Sequence, residues 1–195
     1  MEPHQTRNTQ ELIATIAAGH TAKYIFFWGH TPPQDGSTNQ SCLSQWFSSP
    51  FTVGKHTYRT AEHYMMAAKA RLFNDQDILQ EILAATNPGA AKALGRQVQN
   101  FDHKIWEQHC FQIVTQASFF KFSQNPTLQN YLLTTRGRVL VEASPQDKIW
   151  GIGLAANDPA AQDPKRWQGT NLLGFALMAA RQHLLDGTQP QLLES

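Results

Sequence analysis

Apolar residues recur along this chain mostly at helical spacing, interrupted by a few short β-forming runs. Between Asn8 and Ala18, Leu12, Ile13 and Ile16 make one apolar face. Asn8 is placed to cap that helix, Glu11 stands at the capping-box position and Gly19 ends it. Lys23 to Trp28 is rich in aromatic and β-branched residues and predicts a strand. A polar loop with Pro32, Pro33, Asp35 and Gly36 follows. Phe51-Thr52-Val53 and His56-Thr57-Tyr58 flank Gly54 as a small hairpin. Thr60 then caps a helix that ends near Phe73, and Asp75 or Asp77 caps the next, through Ala85. Asn87-Pro88 opens a helix carrying Lys92 and Arg96, Asp102 caps a longer one through about Phe122, and Asn125-Pro126 starts another that ends near Thr134. Arg138 to Ala143 alternates like a strand, and Lys148 to Leu154 is predicted as a second. Thr170 and Asn171 cap a last helix through Leu185, with Gly187 beyond it.

Many helices, a few short strands and no βαβ alternation predict an α+β fold, mainly helical, in a single domain. Residues 1–23 are expected to form a helical extension appended to a main domain over 24–187, with 188–195 as a loose tail. A length of 195 residues suits one sizeable core. The formal net charge of +1 and the absence of a basic run argue against binding long nucleic acid, but not against a nucleotide or a single base. Cys42 and Cys110, the only two cysteines, form neither a disulfide framework nor a zinc pattern. No two of the eight histidines have the spacing of a helical metal pair, so no metal is assigned and no cofactor is expected. The first residues lack the basic-then-apolar run of a secretory signal, and no apolar run approaches the ~18 residues of a membrane span. A soluble, cytoplasmic protein is therefore expected.

The chemistry concentrates in Thr60 to Ala70. Glu62 and Lys69 are seven residues apart, two helical turns, so both leave one face about 10 Å apart along the axis. Met65 and Met66 share that stretch and should point at a core. A carboxylate and an amine on a buried face are costly unless they have a task. Structural readings stay open: Glu62 as a helix-terminus charge and Lys69 as a side chain snorkelling to solvent.

Five tryptophans are many for this length. Trp106, beside Ile105 on a helix, reads as core. Trp28, Trp46, Trp150 and Trp167 stand in loops or at element ends, where an indole can stack on a flat ligand or simply seal the core's edge. Asp147 lies in a Pro-containing turn near Trp150, as an acid/base group, a ribose-hydroxyl ligand or a turn aspartate bonding its own backbone. Asn171 opens a helix whose free N–H groups suit a phosphate, and Arg96 is a further candidate for one.

Taken together, Phe27 to His30, Leu43 to Phe47, Ser49 to Phe51, Thr60 to Lys69, Ala91 to Arg96, Val141 to Gly153 and Trp167 to Gly174 resemble the NADAR family, also called the YbiA-like N-glycosidases. The resemblance covers about Tyr24 to Leu185. Gln116 to Phe122 departs from the Gly-Asn-Lys-Phe-like pattern of the family, which bears on the adjoining pocket wall. The resemblance implies a mostly helical α+β fold, no metal, and cleavage of the bond between ribose and a base or amine. Its substrates would be phosphorylated ribosylamino-pyrimidine intermediates of riboflavin biosynthesis, or ADP-ribose joined to guanine; a module that binds ADP-ribose or a nucleotide without cleaving it is the alternative. Glu62 would then be the acid/base group, Lys69 an electrostatic group or Schiff-base nucleophile, and Asp147 a ribose or proton ligand. Trp28, Trp46, Arg96, Trp150, Trp167 and Asn171 would bind substrate.

Overall fold

A computed structural model describes residues 1–192. Seven α-helices and four short strands are present among these residues, the α+β, mainly helical architecture that the pattern predicts. In chain order they are α1 (Thr9–Ala17), β1 (Tyr24–Phe27), β2 (Phe51–Val53), β3 (His56–Tyr58), α2 (Ala61–Leu72), α3 (Gln76–Ala84), α4 (Pro88–Gly95), α5 (His103–Ser123), α6 (Pro126–Thr134), β4 (Val139–Glu142) and α7 (Leu172–Asp186). None of the described helices is long and apolar enough to cross a membrane.

Most helix starts follow from side chains that bond their own first turn. Asn8 accepts from the Glu11 amide, Asp75 from Ile78, Asn87 from Ala90, and Asp102 from Lys104 and Ile105. Thr60 caps α2 and also bonds His63 Nδ1 at 2.8 Å, while His63 Nε2 reaches the Ala85 carbonyl at 3.1 Å. His63 is buried, and burial pushes its pKa down, so a neutral ring ties the start of α2 to the end of α3.

α5 is the axis of the molecule. Its residues Ile113, Val114, Ala117 and Phe122 have no exposed surface, and α7 and α2 pack along it. Behind α7 lies β4, paired in parallel with β1 from Tyr24↔Val139 to Phe27↔Glu142. Val139, Leu140 and Val141 are fully buried, as expected of a strand covered on both faces. α7 reaches β4 closely because Gly174 lies there: a Cβ would stand 2.1 Å from the Leu140 carbonyl oxygen. β2 and β3 form the expected hairpin.

Three expectations need correction. Lys148 to Leu154 is a loop, because its backbone groups bond several different segments rather than one ladder. The Ile152 amide donates to Glu142, the Thr170 amide to the Lys148 carbonyl and the Asn171 amide to that of Gly151. This loop lies against the 167–171 loop at Gly169, where a Cβ would come within 2.4 Å of the Gly151 oxygen. Second, the N-terminal residues are no appendage. Leu12 and Thr6 are fully buried, and the buried Arg181 donates to the carbonyls of His4, Thr135 and Arg138. Third, the tail is held on α5 at Gln191, whose carbonyl accepts from Gln112 and Gln116, with Pro190 buried. Residues 193–195 of that expected tail lie outside the described residues.

Because Leu12 belongs to the main core, Leu12→Ala should cost about 2–5 kcal/mol, the range of deep Leu→Ala changes. Urea unfolding checks this. A loss below about 1 kcal/mol would make α1 the detachable extension of the sequence reading.

Candidate active site

A cavity of about 320 Å³ opens where α2, α4 and α5 meet residues 44–46 and the loop after β4. It is lined by Glu62 and Lys69 from α2, Lys92 from α4 with Arg96 just beyond it, and Trp106 from α5. Gln45, Trp46, Glu142, Asp147 and Trp150 complete the polar and aromatic wall, with Met65 and Met66 among its apolar surfaces. The helical spacing of Glu62 and Lys69 therefore does deliver both to one space.

Glu62 is 3% exposed in the second position of α2. Its amide donates to the Gln45 carbonyl, but its Oε1 has no hydrogen-bond partner among the described residues. Burial pushes its pKa up to about 7; Lys92, the Trp46 indole and Arg96 pull it down and Asp147 pushes it further up. Glu142, the last residue of β4, is pushed up to about 8, first by burial and then by Asp147, and its Oε2 is also unpartnered. Two carboxyl groups that hold protons near neutrality thus face one cavity.

Asp147 differs from both. Its Oδ1 accepts from the amides of Ile149 at 2.9 Å and Trp150 at 2.7 Å, so the turn reading is correct for that oxygen. The same bonds fix the carboxylate on the cavity wall beside Trp150. Lys69 Nζ donates to the Gly95 carbonyl at 2.7 Å and stands 4.0 Å from the Phe101 ring centroid. Both contacts favour an ammonium, while burial lowers its pKa. Lys92 lies 5.8 Å from the Trp46 ring centroid. Lys92 and Arg96 share a face of the α4 turn, four residues apart.

A fully buried lysine supports this wall from behind. Lys121 is 1% exposed and donates to the Ser44 carbonyl at 2.7 Å, with its pKa pushed down to about 7 by burial. It stems from the segment that departs from the family pattern. Through Lys121 that segment holds the backbone at Ser44, next to the lining residues Gln45 and Trp46.

Six of the nine residues singled out in the sequence meet in this cavity: Glu62, Lys69, Asp147, Trp46, Arg96 and Trp150. Three do not. Trp28 is 64% exposed and lines no part of it. Trp167 donates its indole N–H to the Ala161 carbonyl at 2.8 Å and packs edge-on to Tyr24, sealing the β1 side of the core. Asn171 is fully buried with φ of 55° and makes no side-chain cap. Its carboxamide instead accepts from the Glu142 amide and donates to the Leu140 carbonyl, both at 2.9 Å, standing in for a neighbouring strand. It positions Glu142 and offers nothing to a phosphate. Gln45, Lys92, Trp106 and Glu142 were missed. Trp106 does sit on an apolar helix, but its ring also reaches the cavity. Glu142 carries a readable signal, a carboxylate that closes the apolar run Val139-Leu140-Val141. Among the described residues, no group of three or more His, Cys, Asp or Glu side chains is arranged to hold a metal.

The NADAR domain family matches residues 26–185. The chain is 44% identical over 167 residues to N-glycosidase R617 of Acanthamoeba polyphaga mimivirus, covering 83% of this chain and 96% of that protein. It is 32% identical over 142 residues to N-glycosidase YbiA of Escherichia coli strain K12, covering 73% and 80%. It is also 40% identical over 141 residues to the chloroplastic riboflavin biosynthesis protein PYRR of Zea mays, a match to 69% of this chain and 21% of that protein. The NMR structure of E. coli YbiA superposes with a TM-score of 0.67 at 28% identity, over 85% of this chain and 86% of that one.

The raised carboxyl makes stability depend on pH in a defined direction. Between 4.5, the ordinary value, and about 7, the folded protein keeps a proton on Glu62 that the unfolded chain releases. Stability from this group is therefore present below 4.5 and lost as pH rises through 7, by up to about 3 kcal/mol at 1.36 kcal/mol per unit. Glu62→Gln removes that loss. Its melting temperature should exceed wild type at pH 8 by more than at pH 5. An equal offset at both values would mean that Glu62 is not held protonated.

Proposed function

The chain belongs to the NADAR domain family, and from that premise we infer that it is an N-glycosidase that hydrolyses the bond between a phosphorylated ribose and a base or amine. The observation that carries this reading is the buried carboxyl of Glu62, with one oxygen unpartnered and a pKa near 7, in a cavity that also holds cations and indoles. Cleaving an N-riboside requires a proton for the departing nitrogen and negative charge near the sugar carbon that becomes cationic. Glu62 supplies the proton. As the bond from the anomeric carbon to nitrogen breaks, its electron pair stays on nitrogen and takes that proton. The carboxylate of Asp147 stabilises the oxocarbenium ion. Water then adds to the anomeric carbon and returns a proton to Glu62, leaving free sugar phosphate and free base.

Lys92 and Arg96 supply positive charge for the phosphate, and Trp46, Trp106 and Trp150 supply aromatic surface for the base. Lys69 serves as a fixed cation. A Schiff-base nucleophile needs a free lone pair, whereas the Gly95 carbonyl and the Phe101 ring both hold the charged form.

The volume of about 320 Å³ lies at the small end of ligand pockets, roughly 300–1,000 Å³, and favours a mononucleotide-sized substrate. We therefore place the phosphorylated ribosylamino-pyrimidines of riboflavin biosynthesis first. Removal of ADP-ribose from guanine is the second reading. It is favoured by one observation, a groove of about 670 Å³ that shares Trp106 and Ile149 with the cavity and leaves room for a longer molecule. A binder without chemistry would have no use for a carboxyl buried with one oxygen unpartnered and its proton held near neutrality. We propose a small-molecule partner, with no long nucleic acid and no membrane, and a reaction in the cytoplasm.

Incubation with each candidate, followed by mass spectrometry for the released sugar phosphate and base, tests this directly. The ribosylamino-pyrimidine phosphate should be consumed faster. General acid catalysis is worth about 10²–10⁴-fold, so Glu62→Gln should lose activity on that scale while remaining folded. Lys69→Ala should lose more than about tenfold, and borohydride added during turnover should leave Lys69 unmodified. kcat/KM should fall as pH rises through about 7, where Glu62 gives up its proton. A folded Glu62→Gln protein with wild-type turnover would overturn the reading.

A further inference from the structure

Beside Glu62 lies a second polar group for which the fold provides no partner. Gln45 is 7% exposed and lines the catalytic cavity, yet neither its Oε1 nor its Nε2 has a hydrogen-bond partner among the described residues. A buried carboxamide left unpaired costs about 1–3 kcal/mol for each group unmade. Most buried polar side chains avoid this, and Asn171 in the same protein does so with both atoms at 2.9 Å. The backbone around Gln45 is well fixed. The Ser44 carbonyl takes the Lys121 ammonium, and the Gln45 carbonyl takes the Glu62 amide at 3.1 Å. Poor packing therefore does not explain the bare amide. Gln45 lines the cavity from a segment held on both sides.

We propose that Gln45 is a specificity-determining residue whose carboxamide reads the planar donor–acceptor edge of the leaving nucleobase. This rests on the N-glycosidase reading and adds to it the class of leaving group: a nitrogen heterocycle with an N–H beside a carbonyl or ring nitrogen. Three considerations select this partner over the others in an N-riboside phosphate. Phosphate is served by Lys92 and Arg96, and an uncharged amide adds little to them. Ribose hydroxyls are donors that rotate freely, and the cavity already offers Asp147 and Glu142 as acceptors. A carboxamide instead holds one donor and one acceptor side by side in a plane, and it matches a base edge that does the same. The edge lies in the plane of the ring while Trp46, the next residue, offers a face, so the two contacts do not compete. Glu62, next to Gln45, is then close to the nitrogen that departs.

A site built to hydrogen-bond its ligand rejects an analogue lacking those groups by large factors, because its own polar atoms are stranded. Two comparisons follow from this. In the first, calorimetry measures binding of a nucleoside monophosphate whose base carries an oxo group beside a ring N–H, and of the same nucleotide with an unsubstituted ring. Wild type should prefer the first by at least about tenfold, one bidentate pair being worth ~1–3 kcal/mol. Gln45→Leu and Gln45→Met, which keep the volume and remove both polar amide atoms, should each bring the ratio to within about threefold. Thermal melting verifies that each variant is folded. In the second, the same ratio is read in kcat/KM for bond cleavage. A folded Gln45→Leu or Gln45→Met protein that keeps the wild-type ratio would overturn the proposal, as would a wild type with no preference. A binding preference that depends on Gln45, with no cleavage of the ribosylamino-pyrimidine phosphate or of ADP-ribosyl-guanine, would sink the enzymatic reading and leave the recognition role standing.

Discussion

The burial of the Glu62 carboxyl is the constraint around which the rest of the site is arranged. A carboxyl group with one oxygen unpartnered, at the start of a helix and out of water, is held at the expense of stability. It persists because the first turn of α2 is anchored from two directions. Thr60 and His63 lock its first turn to the end of α3, and the Gln45 carbonyl holds the Glu62 amide. One turn of helix thus fixes both the position of the acid and the environment that keeps its proton on.

The other elements position charge around that group. β4, buried on both faces, carries Glu142 to the cavity's edge, where the Asn171 carboxamide takes the Glu142 amide and donates to the Leu140 carbonyl. The 144–154 loop follows and turns on Asp147, so a bond that looks merely structural also places a carboxylate. Lys92 and Arg96 bring positive charge from α4, and Lys69 is held between a carbonyl and a ring. Burial raises both buried acids; Asp147 raises Glu142 further, while Lys92 and the Trp46 indole hold Glu62 below what burial alone would give.

The helices and the hairpin were legible in the sequence because their signals are local: a capping side chain, an apolar face, a glycine in a turn. Glu62 and Lys69 were legible for the same reason, since two turns of helix determine their relation without any knowledge of the fold. Other residues depend on contacts distant in sequence. Trp28 and Trp167 have the positions expected of stacking residues, but the parallel pairing of β1 with β4 turns one outward and makes the other a seal for the core. Asn171 has the sequence of a helix cap, and only the approach of α7 to β4 diverts its side chain to the strand. Gln45 carried no local signal, because what distinguishes it is a lack of partners in three dimensions. The N-terminal residues read as separate because one short amphipathic helix looks alike whether it is attached to a core or completes one.

The central claim is that Glu62 carries a proton at neutral pH in the folded protein. The most direct measurement is a titration of the glutamate side-chain carboxyl carbons by NMR, with Glu62→Gln used to assign the resonance. The account predicts one carboxyl, absent from the variant, that titrates near 7. A Glu62 resonance that titrates near 4.5, the ordinary value, would show an ionised group at neutrality and contradict it.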